Sequence, residues 1–260
     1  MKRCQDNGLT YYRFDVFEPY PRLVHGVFTR HGGVSPPPCQ GLNLAFVPQD
    51  TEANVRANLD RAAAALRFDG LAFAGQVHQD KVLIVSAAEA YRPREQSQVR
   101  QGYDALITSD PGQGLLVKLA DCQGVLLFDP QTEVVALVHS GWRGSAADII
   151  GKTVARLKKE FGVLPADLLA GISPSLGPCC AEFVNYKAEL PRQFWRYQVG
   201  DARFDFWAVS RDQLIAAGLD PAKIEVAGMC TACGTEGFYS YRRKKITGRF
   251  GLIAGLRREK

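Results

Sequence analysis

Three short stretches place metal-binding or nucleophilic side chains where apolar runs end. "AGQVHQD" sets His78 after one such run, "KLADCQG" sets Asp121 and Cys122 after a second, and "ALVHSGW" sets His139 after a third. Two imidazoles and one thiolate suit zinc in a site with three protein ligands, which leaves a further position for water or substrate. No two of the three ligands are close in sequence, so the fold would have to bring them together. The same residues also read as a Cys–His dyad, with His139 or His78 deprotonating Cys122 for nucleophilic attack. The bland alternatives are a satisfied histidine at a strand end and an inert small thiol.

Other residues carry weaker signals. Arg143 in "HSGWRG" precedes a helical pattern that begins at Ser145, and free N–H groups at a helix start favour an anion such as phosphate. Arg30 and His31 in "FTRHGG" sit on a glycine-flexed loop long enough to reach over a pocket. "CTAC" at 230–233 is a lone C-x-x-C and "GPCC" supplies Cys179 and Cys180. By itself the C-x-x-C suggests a metal knuckle or redox pair; with no second C-x-x-C, and with adjacent cysteines pointing apart, core or loop packing is favoured for all four over that alternative.

The elements that must position these groups follow from periodicity. Short apolar runs closed by Gly, Asp or Pro, among them "VHGVFT", "KVLIVS", "DALITS", "GLLVKLA", "GVLLFDP", "VVALVHS", "LLAGIS" and "IEVAG", predict strands. "TEANVRANLDRAAAALRF" predicts a helix over 51–68, with Asp50 or Thr51 as N-cap and Val55, Leu59, Ala62, Ala63 and Leu66 on one face. "SAADIIGKTVARLKKEFG" predicts another, with Ser145 and Asp148 as a capping box. "AVSRDQLIAAG" and "NYKAELPRQFW" read as helical, and 92–102 as a polar surface loop. Strands often follow one another without a helix between, so a mixed α/β arrangement is expected rather than a doubly wound sheet.

Bulk composition narrows the class. The 260 residues are 46% apolar, enough for a substantial core, and the net charge of +5 suits anionic small molecules but falls short of a nucleic-acid-binding signature. Neither an apolar signal region nor a membrane-length apolar window occurs, so a cytoplasmic location with no membrane partner is expected. Seven cysteines in such a chain read as reduced thiols.

Taken together, "TRHGGVS", "GLNLA", "QVHQDKV", "DALIT", "LADCQGVLLFDP", "VHSGWRG", "GISPSLGPCC" and "FYSYRRKKITGRFGLIAGL" run in order over nearly the whole chain. In this the sequence resembles the laccase-domain or polyphenol oxidase family, also called YfiH-like or peptidoglycan editing factor. The resemblance implies one domain over residues 1–260 of α/β (mixed α+β) class, with mixed β-sheets flanked by helices and a cysteine-hydrolase-like fold. It implies zinc on His78, Cys122 and His139. Copper is disfavoured, because the four histidines of the chain are too few for multicopper clusters.

Members of the family resemble purine nucleoside enzymes that phosphorolyse adenosine, inosine and methylthioadenosine and deaminate adenosine. The resemblance therefore implies purine nucleoside and phosphate as small-molecule partners. Arg30, Arg143 and Arg242 would meet phosphate, His139, Asp121 and His31 would move protons, and Asn43 would belong to the pocket. Phe28, Tyr239 or Trp142 could stack on the base. The peptidoglycan name implies a different reaction, removal of L-serine from a UDP-muramyl precursor by a zinc-activated water or by Cys122.

Overall fold

The computed structural model describes residues 1–86, 91–233 and 237–258. Glu259 and Lys260 of the basic C-terminal stretch lie outside them. Twelve strands are found among the described residues: β1 (Lys2–Asp6), β2 (Leu9–Arg13), β3 (Leu23–Phe28), β4 (Gly70–Ala72), β5 (Val82–Ile84), β6 (Ala105–Thr108), β7 (Gln113–Leu119), β8 (Gln123–Asp129), β9 (Val134–Ser140), β10 (Leu169–Ile172), β11 (Ile224–Val226) and β12 (Phe250–Leu256). They form two six-stranded sheets, in the orders β1-β2-β3-β12-β7-β4 and β11-β10-β8-β9-β6-β5. The outer pairs β4·β7, β10·β11 and β5·β6 are parallel and the other pairs antiparallel, so both sheets are mixed.

Alternation along the strands explains how the sheets stack. Leu115 and Val117 of β7, Leu252 and Ala254 of β12, Leu126 and Phe128 of β8, and Val135 and Leu137 of β9 share one buried cluster between the sheets. The intervening residues face outward: Leu116 and Ile253 pack under α1 (Glu52–Ala65), and Val125, Leu127, Ala136 and Val138 pack under a second helix described below. Each inner strand is thus buried on both faces, which is why its sequence reads as a continuous apolar run. The mixed α/β class expected from the sequence is what the chain adopts.

Helix boundaries depart from expectation at two places. The pattern from Ser145 splits into α2 (Trp142–Ala146) and α3 (Ile149–Phe161), because Asp148 takes a left-handed conformation (φ 54°) and caps α3 by accepting from the Gly151 N–H. Ser145 lies inside α2 and its hydroxyl meets that of Ser140 at 3.0 Å, so no Ser145–Asp148 capping box exists. "NYKAELPRQFW" yields only α4 (Tyr186–Glu189) followed by a 3-10 turn over Arg192–Tyr197, since Pro191 cannot continue a helix. Thr51 is the N-cap of α1, and α5 (Phe206–Ala216) begins two residues before the expected pattern. No helix among the described residues is long and apolar enough to cross a membrane.

Candidate active site

The strand order brings the three ligand candidates together. His139 is near the end of β9, and β9 runs between β8 and β6. Cys122 occupies the tight turn from β7 into β8, whose residue Gln123 pairs with Ser140. His78 comes from the connection after β4 and, like Asp121, has positive φ (60° and 87°). The ligand atoms of His78, Cys122 and His139 all lie within 4.8 Å of one another, and the two imidazole rings meet edge to face at 4.9 Å.

Asp104 organises this cluster. It heads β6 beside His139 and is fully buried. One carboxylate oxygen accepts from His139 Nδ1 (2.8 Å) and the His78 backbone N–H (2.9 Å); the other accepts from the N–H groups of Val77 (3.1 Å) and Gln79 (2.9 Å). The His78 loop and the His139 ring are therefore fixed by one side chain. With Nδ1 engaged by Asp104, Nε2 of His139 is left for a metal, the arrangement in which a carboxylate orients a ligating histidine.

Gly141 completes the cradle. A Cβ there would stand 2.9 Å from Cys122 Sγ and 3.0 Å from the His78 ring, so glycine is what lets the chain after β9 pass beside the ligand atoms. The donor set, the carboxylate behind one histidine and the space kept clear by Gly141 fit a zinc ion.

Charges in the metal-free cluster reinforce one another. Burial opposes ionisation of Cys122, but the charge of His139 and hydrogen bonds from both histidines outweigh it and bring the thiol well below its usual range. Burial likewise disfavours charge on His139, and the Cys122 thiolate with Asp104 overcomes it, raising the imidazole. Burial also works against Asp104, which hydrogen bonds from His139, Gln79 and Val77 nevertheless hold below the ordinary carboxylate range. Without metal the arrangement is a thiolate–imidazolium pair backed by a carboxylate.

The cluster opens into a cavity of about 900 Å³. Lys118, Arg242, Lys245 and Arg249 line it, together with Phe46, Trp142, Phe183, Phe206 and Tyr241. Burial, with the neighbouring Arg249 charge, lowers Lys118 to about 8. Asp121 is the one carboxylate among the lining residues, and both its oxygens are engaged, by Thr231 Oγ1 (2.7 Å) and the Arg242 N–H (2.6 Å). The cavity lining therefore combines cations with aromatic rings, and Lys245 lies over the Tyr241 ring at 4.4 Å.

The sequence-derived site residues divide sharply in this setting. His78, Asp121, Cys122, His139, Trp142 and Arg242 all line the cavity. Arg143 does not: it is exposed on α2 with its guanidinium stacked 4.1 Å from the Trp142 ring centroid, and a five-residue helix offers little anion-binding dipole. Arg30 lies over the Tyr239 ring and donates to the Gln40 carbonyl, while His31 is exposed on the same loop, and neither lines the cavity. Asn43 is buried, bonded to Ala45, Asp50 and the Arg249 N–H, so it stands behind the cavity wall. Phe28 is core, and buried Tyr239 spends its hydroxyl on the Cys39 and Gln40 carbonyls.

Sequence reasoning missed Lys118, Asp104 and Arg249. Each had a signal: Lys118 is the lone charge in "GLLVKLA", Asp104 opens the strand "DALIT", and Arg249 is the last cation before β12. It did not anticipate that the sulfurs of Cys179, Cys180, Cys230 and Cys233 converge to within 4.8 Å of one another. Cys179 and Cys180 lie in a turn, where adjacent side chains do not point to opposite sides as they do in a strand.

Comparison with known proteins agrees with this architecture. The chain is 30% identical over 256 residues to a purine nucleoside phosphorylase of Bacteroides thetaiotaomicron, covering 94% of each, and 34% identical over 252 residues to one of Deinococcus radiodurans, covering 92% of each. The crystal structure of YlmD from Geobacillus stearothermophilus superposes with a TM-score of 0.88 at 28% identity, covering 98% of both chains. That of the hypothetical protein YfiH from Bacillus licheniformis gives 0.86 at 29%, covering 97% of this chain and 98% of that one. Residues 24–257 match the family model described as multi-copper polyphenol oxidoreductase laccase, and the chain belongs to that family.

Proposed function

We propose that this chain is a zinc-dependent purine nucleoside phosphorylase, with His78, Cys122 and His139 as metal ligands. The observation that carries the reading is the composition of the cavity beside them: cations, among them Lys118, Arg242 and Arg249, to receive phosphate, and aromatic side chains to receive a purine. The names of the relatives point the same way.

In phosphorolysis a phosphate oxygen bonds to C1′ of the ribose as the C1′–N9 bond breaks; the bonding pair leaves with the base, which takes up a proton. Lys118, Arg242 and Arg249 hold the phosphate, the role first assigned to Arg30 and Arg143, which stand outside the cavity. They orient the nucleophile and offset charge on it before the reaction begins. Trp142 and Phe183, whose rings meet edge to face at 6.3 Å, flank the base. Zinc held by His78, Cys122 and His139 would supply Lewis acidity at the same site, the chemistry that adenosine deamination would also require. Asp121 acts as a positioning residue that ties the Cys122 turn to Thr231 and Arg242.

Zinc is preferred over copper on ligand count. Of the four histidines, His25 is buried in the core, where it accepts from the Phe14 N–H, and His31 lies on an exposed loop, which leaves two at the site. A multicopper centre needs many more imidazoles.

A second reading rests on the Cys122–His139–Asp104 alignment, which without metal has the order of a nucleophile, a base and an orienting carboxylate. That is the chemistry of a hydrolase, such as one removing L-serine from a UDP-muramyl precursor. The deciding experiment measures base release from adenosine, inosine and methylthioadenosine by protein of known zinc content, with and without phosphate. Phosphate-dependent release supports the phosphorylase; serine release from the muramyl precursor without base release would replace it with the hydrolase.

The same assay tests Lys118. Its folded value of about 8 makes it a cation below that pH and neutral above, so kcat/KM for phosphate should fall as pH rises through about 8. In Lys118→Gln the value should be lower by about 10-fold or more and should lose that inflection. An unchanged inflection in the variant would remove Lys118 from the phosphate site.

A further inference from the structure

The two cysteine pairs stand at the same end of the sheet that carries His139 and the start of β8, in the segments that follow the parallel neighbours β10 and β11. Beyond these strands the pairing continues: the Ala227 N–H donates to the Ile172 carbonyl, Ser175 bridges Cys230, and the Ser175 carbonyl receives the Thr231 N–H. This places the turn carrying Cys179 and Cys180 against "CTAC". The four sulfurs lie within 4.8 Å of one another. One tetrahedral ion with bonds of about 2.3 Å holds its sulfurs ~3.8 Å apart, so little adjustment is needed. Clusters of several irons need thiolates spread wider.

Two further features prepare this cluster for thiolates. Backbone N–H groups of Gly177, Ala232 and Cys233 point at the Cys230 sulfur, the first at 3.3 Å. Donors from the second and third residues after the first cysteine of a C-x-x-C stabilise a negative sulfur and fix its direction, as outer partners do for metal ligands. Gly177 is required for its part: a Cβ there would stand 2.8 Å from the Trp207 ring and 3.1 Å from Cys230 Cβ. The Arg243 guanidinium reaches the Thr231 carbonyl at 3.4 Å and brings positive charge beside a centre that would be net negative.

We propose that Cys179, Cys180, Cys230 and Cys233 form a second metal site, a tetrathiolate that takes one zinc-class divalent ion. Binding releases the thiol protons to solvent and leaves the metal's oxidation state unchanged. All four positions are filled by protein, so the ion is structural rather than catalytic. It clamps the loops after β10 and β11, and through them the cavity wall: Leu176 donates its N–H to the Asp121 carbonyl, and Thr231 holds the Asp121 side chain. The inference does not depend on the identity of the substrate.

The test is metal stoichiometry of the full chain purified under reducing conditions, with cobalt substitution as the probe of ligand type. Wild-type protein should hold about two zinc ions per chain and Cys122→Ser about one. The cobalt form of Cys122→Ser should keep the visible absorption of a tetrahedral tetrathiolate, and adding Cys230→Ser should abolish it. Should Cys230→Ser fail to fold, Cys179→Ser, at an exposed position, serves instead. Chelation of the Cys122→Ser protein should lower its Tm. The proposal fails if Cys122→Ser binds no ion, if its cobalt spectrum lacks thiolate character, or if protein purified in parallel without reductant carries a Cys179–Cys233 disulfide and no ion at this cluster.

Discussion

Cys122→Ser protein should lose its active-site zinc and at least about 10³-fold in phosphorolysis, while keeping its fold. Serine occupies nearly the same volume, so neither cavity nor clash is introduced in the β7–β8 turn. What changes is charge. A hydroxyl stays protonated at neutral pH, whereas the thiol of Cys122 is drawn down by His139 and His78. His139 in turn loses the negative neighbour that most raises it against burial, so its titration should move to lower pH, which histidine NMR can follow. Full zinc content with full turnover in Cys122→Ser would show that Cys122 is not a ligand. The variant also separates the two functional readings. Metal-free wild-type protein that still releases serine, in an activity lost with Cys122, would mark the thiolate as a nucleophile and the metal as dispensable.

The strands were legible where they are buried on both sides, because β6, β8, β9 and β10 are unbroken apolar runs between polar or glycine punctuation. The hairpin β1–β2 went unread although "DNGL" announces it: Asn7 and Gly8 both take positive φ, as a two-residue hairpin turn demands. β12 was quoted as a motif without being read as a strand, yet it pairs with β3 and β7 at the centre of its sheet. Spacing could not give this, since β12 lies more than a hundred residues from both partners. The break between α2 and α3 was hidden for another reason. Ser145 and Asp148 fit a capping box, and only the buried meeting of Ser145 with Ser140 favours the alternative.

At the site, residue type was informative and direction was not. The three ligand candidates were found because histidine and cysteine at strand ends are rare and their chemistry is distinctive. The cations were confused because an arginine in a turn and one in a cavity look alike in sequence. Arg143 turns onto Trp142, whereas Lys118, embedded in a β-strand, points into the cavity because of its place in the alternation of β7. The cysteine cluster shows the limit of motif logic. A lone C-x-x-C lacked a partner in sequence, and the partner came from the turn after a neighbouring parallel strand.

Asp104→Asn should weaken metal binding about 10- to 100-fold and lower stability, although it changes only one atom's hydrogen bonding. The carboxylate accepts four hydrogen bonds, two at each oxygen, and all of them come from N–H groups. An amide must place its NH₂ on one side or the other. Facing Val77 and Gln79, it opposes two backbone donors, and each buried donor left unpaired costs about 1–3 kcal/mol. Facing His139 and His78, it donates to His139 Nδ1 and moves the ring proton to Nε2, the atom the metal needs. Either orientation spends the geometry that Asp104 provides, the first through the His78 loop and the second through the His139 tautomer. Competition against a chelator of known affinity measures the metal loss, and thermal unfolding of the metal-free protein measures the stability loss separately. Wild-type metal affinity in Asp104→Asn would mean that the carboxylate does not set the tautomer of His139, and the zinc assignment would lose its strongest structural support.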